Sequence, residues 1–152
     1  MTVRTSVKAI IIRNDKLLVT ENRDDTGEFY LLPGGGQLHG ENLHEALRRE
    51  CMEEIGTEVI IGELRLVRDY IGKNHEFAET DGNAHQVEFM FECDVPCDYF
   101  PENGTVPDRM QTGVKWIPLK ELHMYRLYPS RLYTVIEQME NSRIITYMGD
   151  VN

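Results

Sequence analysis

The sequence has few cysteines, no excess of positive charge and no long apolar run near its start. Its three cysteines form no C-x-x-C pair, which is typical of neither a disulfide framework nor a four-ligand zinc site. Lysine and arginine number 16 against 26 aspartate and glutamate residues, a formal net charge of −10, which disfavours binding to nucleic-acid polymers or anionic membranes. The apolar run at 9–12 is too short for a signal peptide or membrane span. We therefore expect reduced thiols, a cytoplasmic location, and neither a membrane nor a nucleic-acid partner.

The chain length predicts one domain, because domains usually have about 100–200 residues. No repeat, low-complexity tract or linker divides the 152 residues. Hydrophobic residues make up 41% and charged residues 28%, which is enough apolar surface for a single core. Composition alone therefore indicates one α/β or α+β domain over residues 1–152.

Local patterns predict six strands and two helices. Strands are predicted at 7–12 and 16–20, which form a hairpin, and at 29–32, 59–71, 86–95 and 114–117. One helix is predicted over 42–55 and ends at Gly56. A second is predicted from about 129 to 141, with a buried face of Leu132, Val135, Ile136 and Met139. The polar segments 72–85 and 96–113 are predicted to be loops.

Three carboxylates on the first predicted helix indicate a metal site. At about 100° per residue, Glu50, Glu53 and Glu54 share one face, and this face borders the apolar stripe of the helix. Like charges three or four residues apart destabilise a helix by about 0.2–0.5 kcal/mol per pair, so a cation should offset them. Oxygen ligands without histidine or cysteine suit Mg²⁺ or Mn²⁺. The alternative is an acidic face paired with Arg48 and Arg49.

A glycine-rich loop, Pro33-Gly34-Gly35-Gly36, precedes this helix, and the whole segment resembles the Nudix box. The box pattern is G-x5-E-x7-R-E-U-x-E-E-x-G-U, in which U is aliphatic. All its fixed residues are present: Gly35, Glu41, Arg49, Glu50, Glu53, Glu54 and Gly56. Cys51 and Thr57 replace the aliphatic residues. The strand before the loop, the segment 113–122 and the closing helix are also similar to parts of Nudix domains. The resemblance therefore covers about residues 4–142, with the box at 35–57.

The resemblance implies an α/β/α sandwich around a mixed β-sheet. It also implies metal-dependent hydrolysis of the pyrophosphate bond in small nucleoside diphosphates linked to another moiety, with ADP-ribose or nucleotide sugars favoured. One alternative is a pyrophosphohydrolase of nucleoside triphosphates, including oxidised ones. Another is a non-catalytic nucleotide sensor, although a sensor would usually have a degraded box. Homodimerisation is compatible with the resemblance, since many family members dimerise.

Residue roles follow from the resemblance and from the composition of the loops. The implied metal ligands are the Gly34 carbonyl, Glu50, Glu53 and Glu54, and the implied catalytic residues are Arg49, Glu53 and Glu54. Glu41 is expected to help close the loop onto the helix. The general base stays open between Glu53, Glu88, Glu92, Glu102 and Asp108. Substrate binding is assigned to Phe29, Tyr30, Gly35, Gly36, His75 and Arg109.

Overall fold

The computed structural model describes residues 2–140 and 146–152. The strands are Arg4–Arg13 (β1), Lys16–Asp24 (β2), Gly27–Leu31 (β3), Ile60–Ile71 (β4), His85–Asp94 (β5), Gln111–Pro118 (β6), Leu127–Tyr128 (β7) and Tyr147–Asp150 (β8). The helices are Leu43–Ile55 (α1), Ala78–Asp81 (α2) and Leu132–Glu140 (α3). Short 3-10 turns cover Gly72–Asn74 and Leu119–Met124.

The strands form a mixed sheet in the order β7-β3-β2-β1-β5-β4-β8, with β6 paired to β2. The central strand β1 is parallel to β5. It is antiparallel to β2, with which it forms the predicted hairpin. Asn14 and Asp15 make the hairpin turn with φ of 50° and 58°, a backbone region that asparagine and aspartate enter more readily than other non-glycine residues.

The chain after β3 returns to β1 and pairs with it. The Val7 amide donates to the Gly35 carbonyl at 2.9 Å, and the Ala9 amide donates to the Pro33 carbonyl at 2.8 Å. β1 can accept this segment because its ladder with β2 is confined to the closed end of the hairpin, at Ile12 and Arg13. The glycine-rich loop is therefore fixed against the centre of the sheet.

Two hydrophobic clusters cover the two faces of the sheet. Successive residues of a strand point to opposite faces, so Val7 and Ala9 of β1 pack against α1 while Ile10 packs against α3. The α1 cluster also contains Ala46, Leu47, Cys51 and Ile55. The α3 cluster contains Leu132, Val135 and Ile136. The expected α/β/α arrangement around a mixed sheet is confirmed.

Helix α1 begins and ends where the sequence predicts. The Asn42 side chain accepts a hydrogen bond from the Glu45 amide at 2.9 Å, and the Glu45 carboxylate accepts one from the Asn42 amide at 2.8 Å. This reciprocal pair is a capping box. Gly56 ends the helix in the left-handed region, with φ of 71°.

The C-terminal half differs from the predicted elements in several places. The last helix begins at Leu132 and not near Pro129, because Tyr128 belongs to β7 and a residue before proline favours extended backbone. The predicted end of this helix, Asn141, lies outside the described residues. Strands β7 and β8 were not predicted. The segment 72–85, predicted as a loop, contains a 3-10 turn and α2.

The C-terminal strand β8 holds the segment between β4 and β5 in place. Asp150 accepts a hydrogen bond from the Ile71 amide at 2.9 Å and another from the Asn74 side chain at 2.7 Å. It also contacts the His75 ring nitrogen at 2.6 Å. Burial by itself would raise the pKa of Asp150, but these hydrogen bonds outweigh it and lower the pKa to about 2. Asp150 thus stabilises the fold as an anion.

No helix within residues 2–140 and 146–152 is long and apolar enough to cross a membrane.

Replacing Asp150 by asparagine should destabilise the protein at neutral pH but not in strong acid. A carboxylate whose pKa falls on folding stabilises the native state above its unfolded pKa and loses this effect as pH falls through its folded pKa. We expect Asp150→Asn to lower Tm by roughly 2–4 °C at pH 7, and the difference from the parent to vanish between about pH 4 and pH 2. Thermal unfolding across this range measures it, with exposed Asp25→Asn as control. A difference that is independent of pH would contradict the role of the charge.

Candidate active site

The three carboxylates of α1 lie at the edge of its buried face, as predicted. Glu54 is only 4% exposed. The side chains of Glu50 and Glu53 are 13% and 34% exposed. Burying ionised carboxylates is costly unless they are paired or hydrogen-bonded, so their partners determine what this face of the helix can do.

Glu54 is the most deeply buried of the three and contacts the glycine-rich loop. Its carboxylate accepts a hydrogen bond from the Gly34 amide at 2.8 Å. Burial raises the pKa of Glu54 to about 7, although the Lys8 ammonium and the Gly34 amide act in the opposite direction. A cation at this carboxylate would favour its ionised form.

Arg49 connects the loop with the other carboxylates. Its guanidinium donates to Glu41 at 2.6 Å, to Glu50 at 2.7 Å, to Glu53 at 3.3 Å and to the Gly36 carbonyl at 2.9 Å. The hydrogen bond from Arg49 is the main reason why the pKa of Glu41 falls to about 2. The contact between Glu41 and Arg49 closes the loop onto the helix, as the resemblance implied.

Two glycines let the loop lie close to β1 on one side and to the helix on the other. Gly34 has φ of 129°, and a Cβ atom there would lie 2.1 Å from the Val7 carbonyl oxygen. A Cβ atom on Gly35 would lie 2.5 Å from a carboxylate oxygen of Glu50. Because Gly34 has no side chain, the loop can lie against β1. Because Gly35 has none, the Glu50 carboxylate can lie against the loop.

Lys8 is a residue of this site that sequence reasoning missed. Its ammonium donates a hydrogen bond to the Gly34 carbonyl, the oxygen that the resemblance assigned to a metal ion. The available signal was a single charge between Val7 and Ala9, both of which are fully buried. A lysine in a central strand is unusual enough to indicate a specific partner.

The donor set has the chemistry of a site for a hard divalent cation. Among the described residues, no three acidic, histidine or cysteine side chains converge closely enough to hold a metal ion. Glu50 and Glu53 are instead engaged by Arg49, and Glu54 by the Gly34 amide. Carboxylate and carbonyl oxygens are the ligands that Mg²⁺ and Mn²⁺ prefer. Glu50 lies against Gly35 and Glu54 against Gly34, so oxygens of the type that such a cation prefers lie beside the loop, and the residues fit the cation in their chemistry.

Two of the candidate bases on β5 are held in ion pairs. Glu88 is 4% exposed and pairs with Arg68. Burial would raise the pKa of Glu88, but the guanidinium outweighs burial and lowers it. Glu92 pairs with Arg65 at 2.8 Å. These pairings make both residues weaker candidates for the general base.

The remaining candidates lie on α1 and on the loop before β6. Asp108 lies two residues beyond Val106, whose amide donates to the Glu53 carbonyl at 2.9 Å. Glu102 and Asp108 are both exposed. Glu53 lies on the acidic face of α1 but, like Glu88 and Glu92, it is paired with an arginine, Arg49. Glu53 and Asp108 adjoin the acidic face and are therefore the stronger candidates, and the choice between them stays a prediction.

The predicted aromatic contacts are packed within the protein. Phe29 is 8% exposed, and its ring lies edge-on to Tyr128 with the Arg126 guanidinium 5.5 Å from the ring centroid. Tyr30 is 6% exposed and belongs to the α3 cluster. Burial raises the pKa of Tyr30 to about 12. Their assignment to substrate binding stays a prediction.

His75 and Arg109 lie on the two segments that the sequence assigned to substrate recognition. The His75 ring stacks on Tyr70 with centroids 5.4 Å apart and contacts Asp150. Arg109 is exposed. His75 therefore has a structural partner on each side, whereas Arg109 is accessible to a ligand.

Gly35 and Gly36 present backbone at the surface of the site. The Gly35 carbonyl accepts from β1, and the Gly36 carbonyl accepts from Arg49. The Arg4 guanidinium lies against Gly36. This arginine adds a cation at the rim of the loop that the sequence did not single out.

The loop before β6 caps the C-terminal end of α1. The Gly104 amide donates to the Glu54 carbonyl at 3.0 Å, and the Val106 amide donates to the Glu53 carbonyl at 2.9 Å. The Gln111 side chain also donates to the Glu54 carbonyl, at 2.8 Å. These bonds satisfy carbonyls that have no partner within the helix and fix the turn that carries the carboxylates. Nothing in the sequence periodicity indicated this contact.

The two glycines should respond differently to alanine. In Gly34→Ala the new Cβ meets backbone and the φ angle is strained, so we expect a loss of about 2–6 kcal/mol. In Gly35→Ala the new Cβ meets the end of the mobile Glu50 side chain, so we expect a loss within about 1 kcal/mol. Denaturant unfolding measures both variants. Equal losses, or a larger loss for Gly35→Ala, would contradict this assignment of contacts.

Comparison with known proteins is consistent with the box. The model of the NUDIX domain matches residues 2–139. The nucleoside triphosphatase NudI of Salmonella agona (strain SL483) is 29% identical over 140 residues, which cover 89% of this chain and 96% of that protein.

Solved structures share the fold. A NUDIX hydrolase from Nitrosomonas europaea superposes with a TM-score of 0.72 at 19% identity, covering 95% of this chain and 93% of that chain. An ADP-ribose pyrophosphatase from Streptococcus suis 89-1591 superposes with a TM-score of 0.63 at 18% identity, covering 98% of each chain. The family match over nearly the full length, together with the complete box around Glu54, shows that the chain belongs to the NUDIX family and is a Nudix hydrolase.

Proposed function

We propose that this protein hydrolyses the pyrophosphate bond of a small nucleoside diphosphate derivative, with Mg²⁺ or Mn²⁺ held by Glu50, Glu53, Glu54 and the Gly34 carbonyl. Nudix hydrolases act on small nucleotide derivatives and generally need a divalent metal. The observation that carries the proposal is the buried Glu54 carboxylate at hydrogen-bond distance from the Gly34 amide. This contact brings a glycine-rich backbone and an acidic helix face to one point.

Each group of the site has a task in this reaction. A divalent cation would neutralise the pyrophosphate oxygens and make water a better nucleophile. Arg49 keeps Glu50 and Glu53 on the loop side of the helix through its hydrogen bonds. Glu53 or Asp108 accepts the proton that the attacking water loses. Gly35 and Gly36 add no side chain of their own between the loop and the helix, and the Arg4 guanidinium beside Gly36 is available to a phosphate oxygen.

We favour a substrate with a second moiety beyond the diphosphate, such as ADP-ribose or a nucleotide sugar. The supporting feature is the segment 72–85, which is ordered by Asp150 and by Phe77. The Phe77 ring lies edge-on to Tyr128 with centroids 5.6 Å apart, and Arg126 lies 6.0 Å from its centroid. An aromatic group on a supported segment suits contact with the part of the substrate that lies beyond the diphosphate.

Hydrolysis of nucleoside triphosphates is the second candidate. A relative that is 29% identical is a nucleoside triphosphatase, and the box can hold only metal and a diphosphate, which both substrate classes share. A non-catalytic sensor is disfavoured, because all the charged residues of the box are present, and Arg49 and Glu54 bind the loop.

Glu54→Gln should remove most activity and leave the fold intact. The change keeps the shape of the side chain and its contact with the Gly34 amide, but it removes one charged ligand. We expect turnover to fall by roughly 100-fold or more. The rise in Tm caused by Mg²⁺ should shrink, since the stabilisation that a ligand gives increases with its affinity. Exposed Glu58→Gln serves as control. Turnover within threefold of the parent, or an unaltered response to Mg²⁺, would contradict the role of Glu54.

Phe77→Ala should change which substrate is preferred. Burying the apolar surface of a phenylalanine ring contributes about 1.5–3 kcal/mol, and a nucleoside triphosphate has no second moiety to cover the ring. We therefore expect kcat/KM for ADP-ribose to fall by about fivefold or more relative to nucleoside triphosphates. Phe100→Ala is the matched control, because Phe100 is an aromatic residue of the other polar segment and is 77% exposed. Kinetics on both substrates, with Tm as a check of folding, measure the ratio. An unchanged ratio in Phe77→Ala would show that the segment only connects β4 and β5.

A further inference from the structure

Lys8 is a charged residue placed where the sheet is otherwise apolar. Its neighbours Val7 and Ala9 are fully buried in the α1 cluster. Lys8 points to the other face of β1, as alternation along a strand requires. Its ammonium reaches the Gly34 carbonyl, so the lysine contacts the same loop residue as Glu54.

Gly34 is therefore held from two sides. Its amide donates to Glu54 at 2.8 Å, and its carbonyl accepts from Lys8. The backbone pairing of β1 with Pro33 and Gly35 fixes the separation between strand and loop. With this separation fixed, Lys8 moves away from the Gly34 carbonyl only when its own side chain changes conformation.

The charge of Lys8 also acts on two buried carboxylates. It favours the ionised form of Glu54 on one side and of Glu88 on the other. Glu88 is in turn paired with Arg68. Positive and negative groups thus alternate from Arg68 to Glu54, and Lys8 is the cation that acts on both buried carboxylates.

We propose that Lys8 is an internal cation that occupies the Gly34 carbonyl in the metal-free protein and competes there with the divalent cation. This inference rests on the proposed metal-dependent function. Two cations that share one oxygen and one set of carboxylates repel each other, so each weakens the binding of the other. Lys8 is a positioning residue, which holds the Gly34 carbonyl of the loop to β1 before the metal binds.

The proposal predicts that one variant, Lys8→Met, loses stability without metal and binds metal more tightly. Lys8→Met keeps most of the length of the side chain and removes its charge. Without metal it should be less stable than the parent, because the Gly34 carbonyl loses its hydrogen bond from Lys8 and Glu54 loses the favourable charge of this lysine. In the presence of metal it should bind more tightly, because the competing cation is gone. A lysine that merely supported the fold would lower stability without tightening metal binding.

The test measures metal binding without substrate. Calorimetric titration with Mg²⁺ and with Mn²⁺ should give a Kd about fivefold or more lower for Lys8→Met than for the parent, within the usual range of coupling between two sites. Lys8→Arg, which keeps the charge, should stay near the parent. Lys16→Met, which removes an exposed lysine from the hairpin turn, controls for the change in net charge. In EDTA the Tm of Lys8→Met should fall below that of both controls, and saturating Mg²⁺ should close the gap.

An unchanged or higher Kd in Lys8→Met would overturn the proposal, as would an equal gain in Lys8→Arg or in Lys16→Met. If the parent itself binds neither Mg²⁺ nor Mn²⁺, the proposed function fails together with this inference. If the parent binds metal and Lys8→Met binds it with the same Kd, the inference fails and the proposed function stands.

A measurement on the parent covers the case in which Lys8→Met does not fold. Reductive methylation with ¹³C labels each lysine, and the Lys8→Arg spectrum assigns the Lys8 signal. Addition of Mg²⁺ should shift the Lys8 signal and leave that of Lys16 in place. A Lys8 signal that stays fixed at saturating Mg²⁺ would overturn the proposal.

Discussion

The glycine-rich loop lies in contact with a central strand and with the acidic helix at once, and the candidate site depends on this double contact. Gly34 approaches the Val7 carbonyl more closely than any residue with a side chain could, and its amide reaches Glu54. Gly35 leaves room for the Glu50 carboxylate. Because the loop also pairs with β1 through backbone hydrogen bonds, a shift of the strand would move the carbonyl and amide groups that surround the helix face.

Two cations offset the negative charge of the acidic face: Arg49 lies on α1 itself, and Lys8 lies on β1. Arg49 holds two of its carboxylates, and Lys8 acts on the third. Under the proposed function, the same carboxylates supply oxygens to a divalent cation. Arg49 and Lys8 offset the cost of clustering negative charge in the structure described, and under that proposal these two side chains rearrange when metal binds. The whole chain is acidic, with a net charge of −10, and these three carboxylates share one face of α1.

The parts of the structure that depend on short sequence spacing were predictable. The helix α1, its Gly56 end and the positions of its carboxylates relative to the buried face follow from a period of 3.6 residues. The features that were not predicted arise from long-range contacts. Lys8 meets Gly34 across 26 positions, and β8 reaches β4 from the far end of the chain. Periodicity within a window contains no information about such pairs, so the partner of Lys8 and the C-terminal strand became visible only in the fold.

The proposed reaction is hydrolysis of a pyrophosphate bond that requires a divalent metal. The most direct measurement incubates the parent with ADP-ribose, nucleotide sugars and nucleoside triphosphates, each with Mg²⁺ or Mn²⁺ and with EDTA, and identifies the products by chromatography and ³¹P NMR. The account predicts a nucleoside monophosphate and a second phosphorylated product in the presence of metal, and unreacted substrate in EDTA. Turnover that persists in EDTA, or release of inorganic phosphate as the first product, would contradict it.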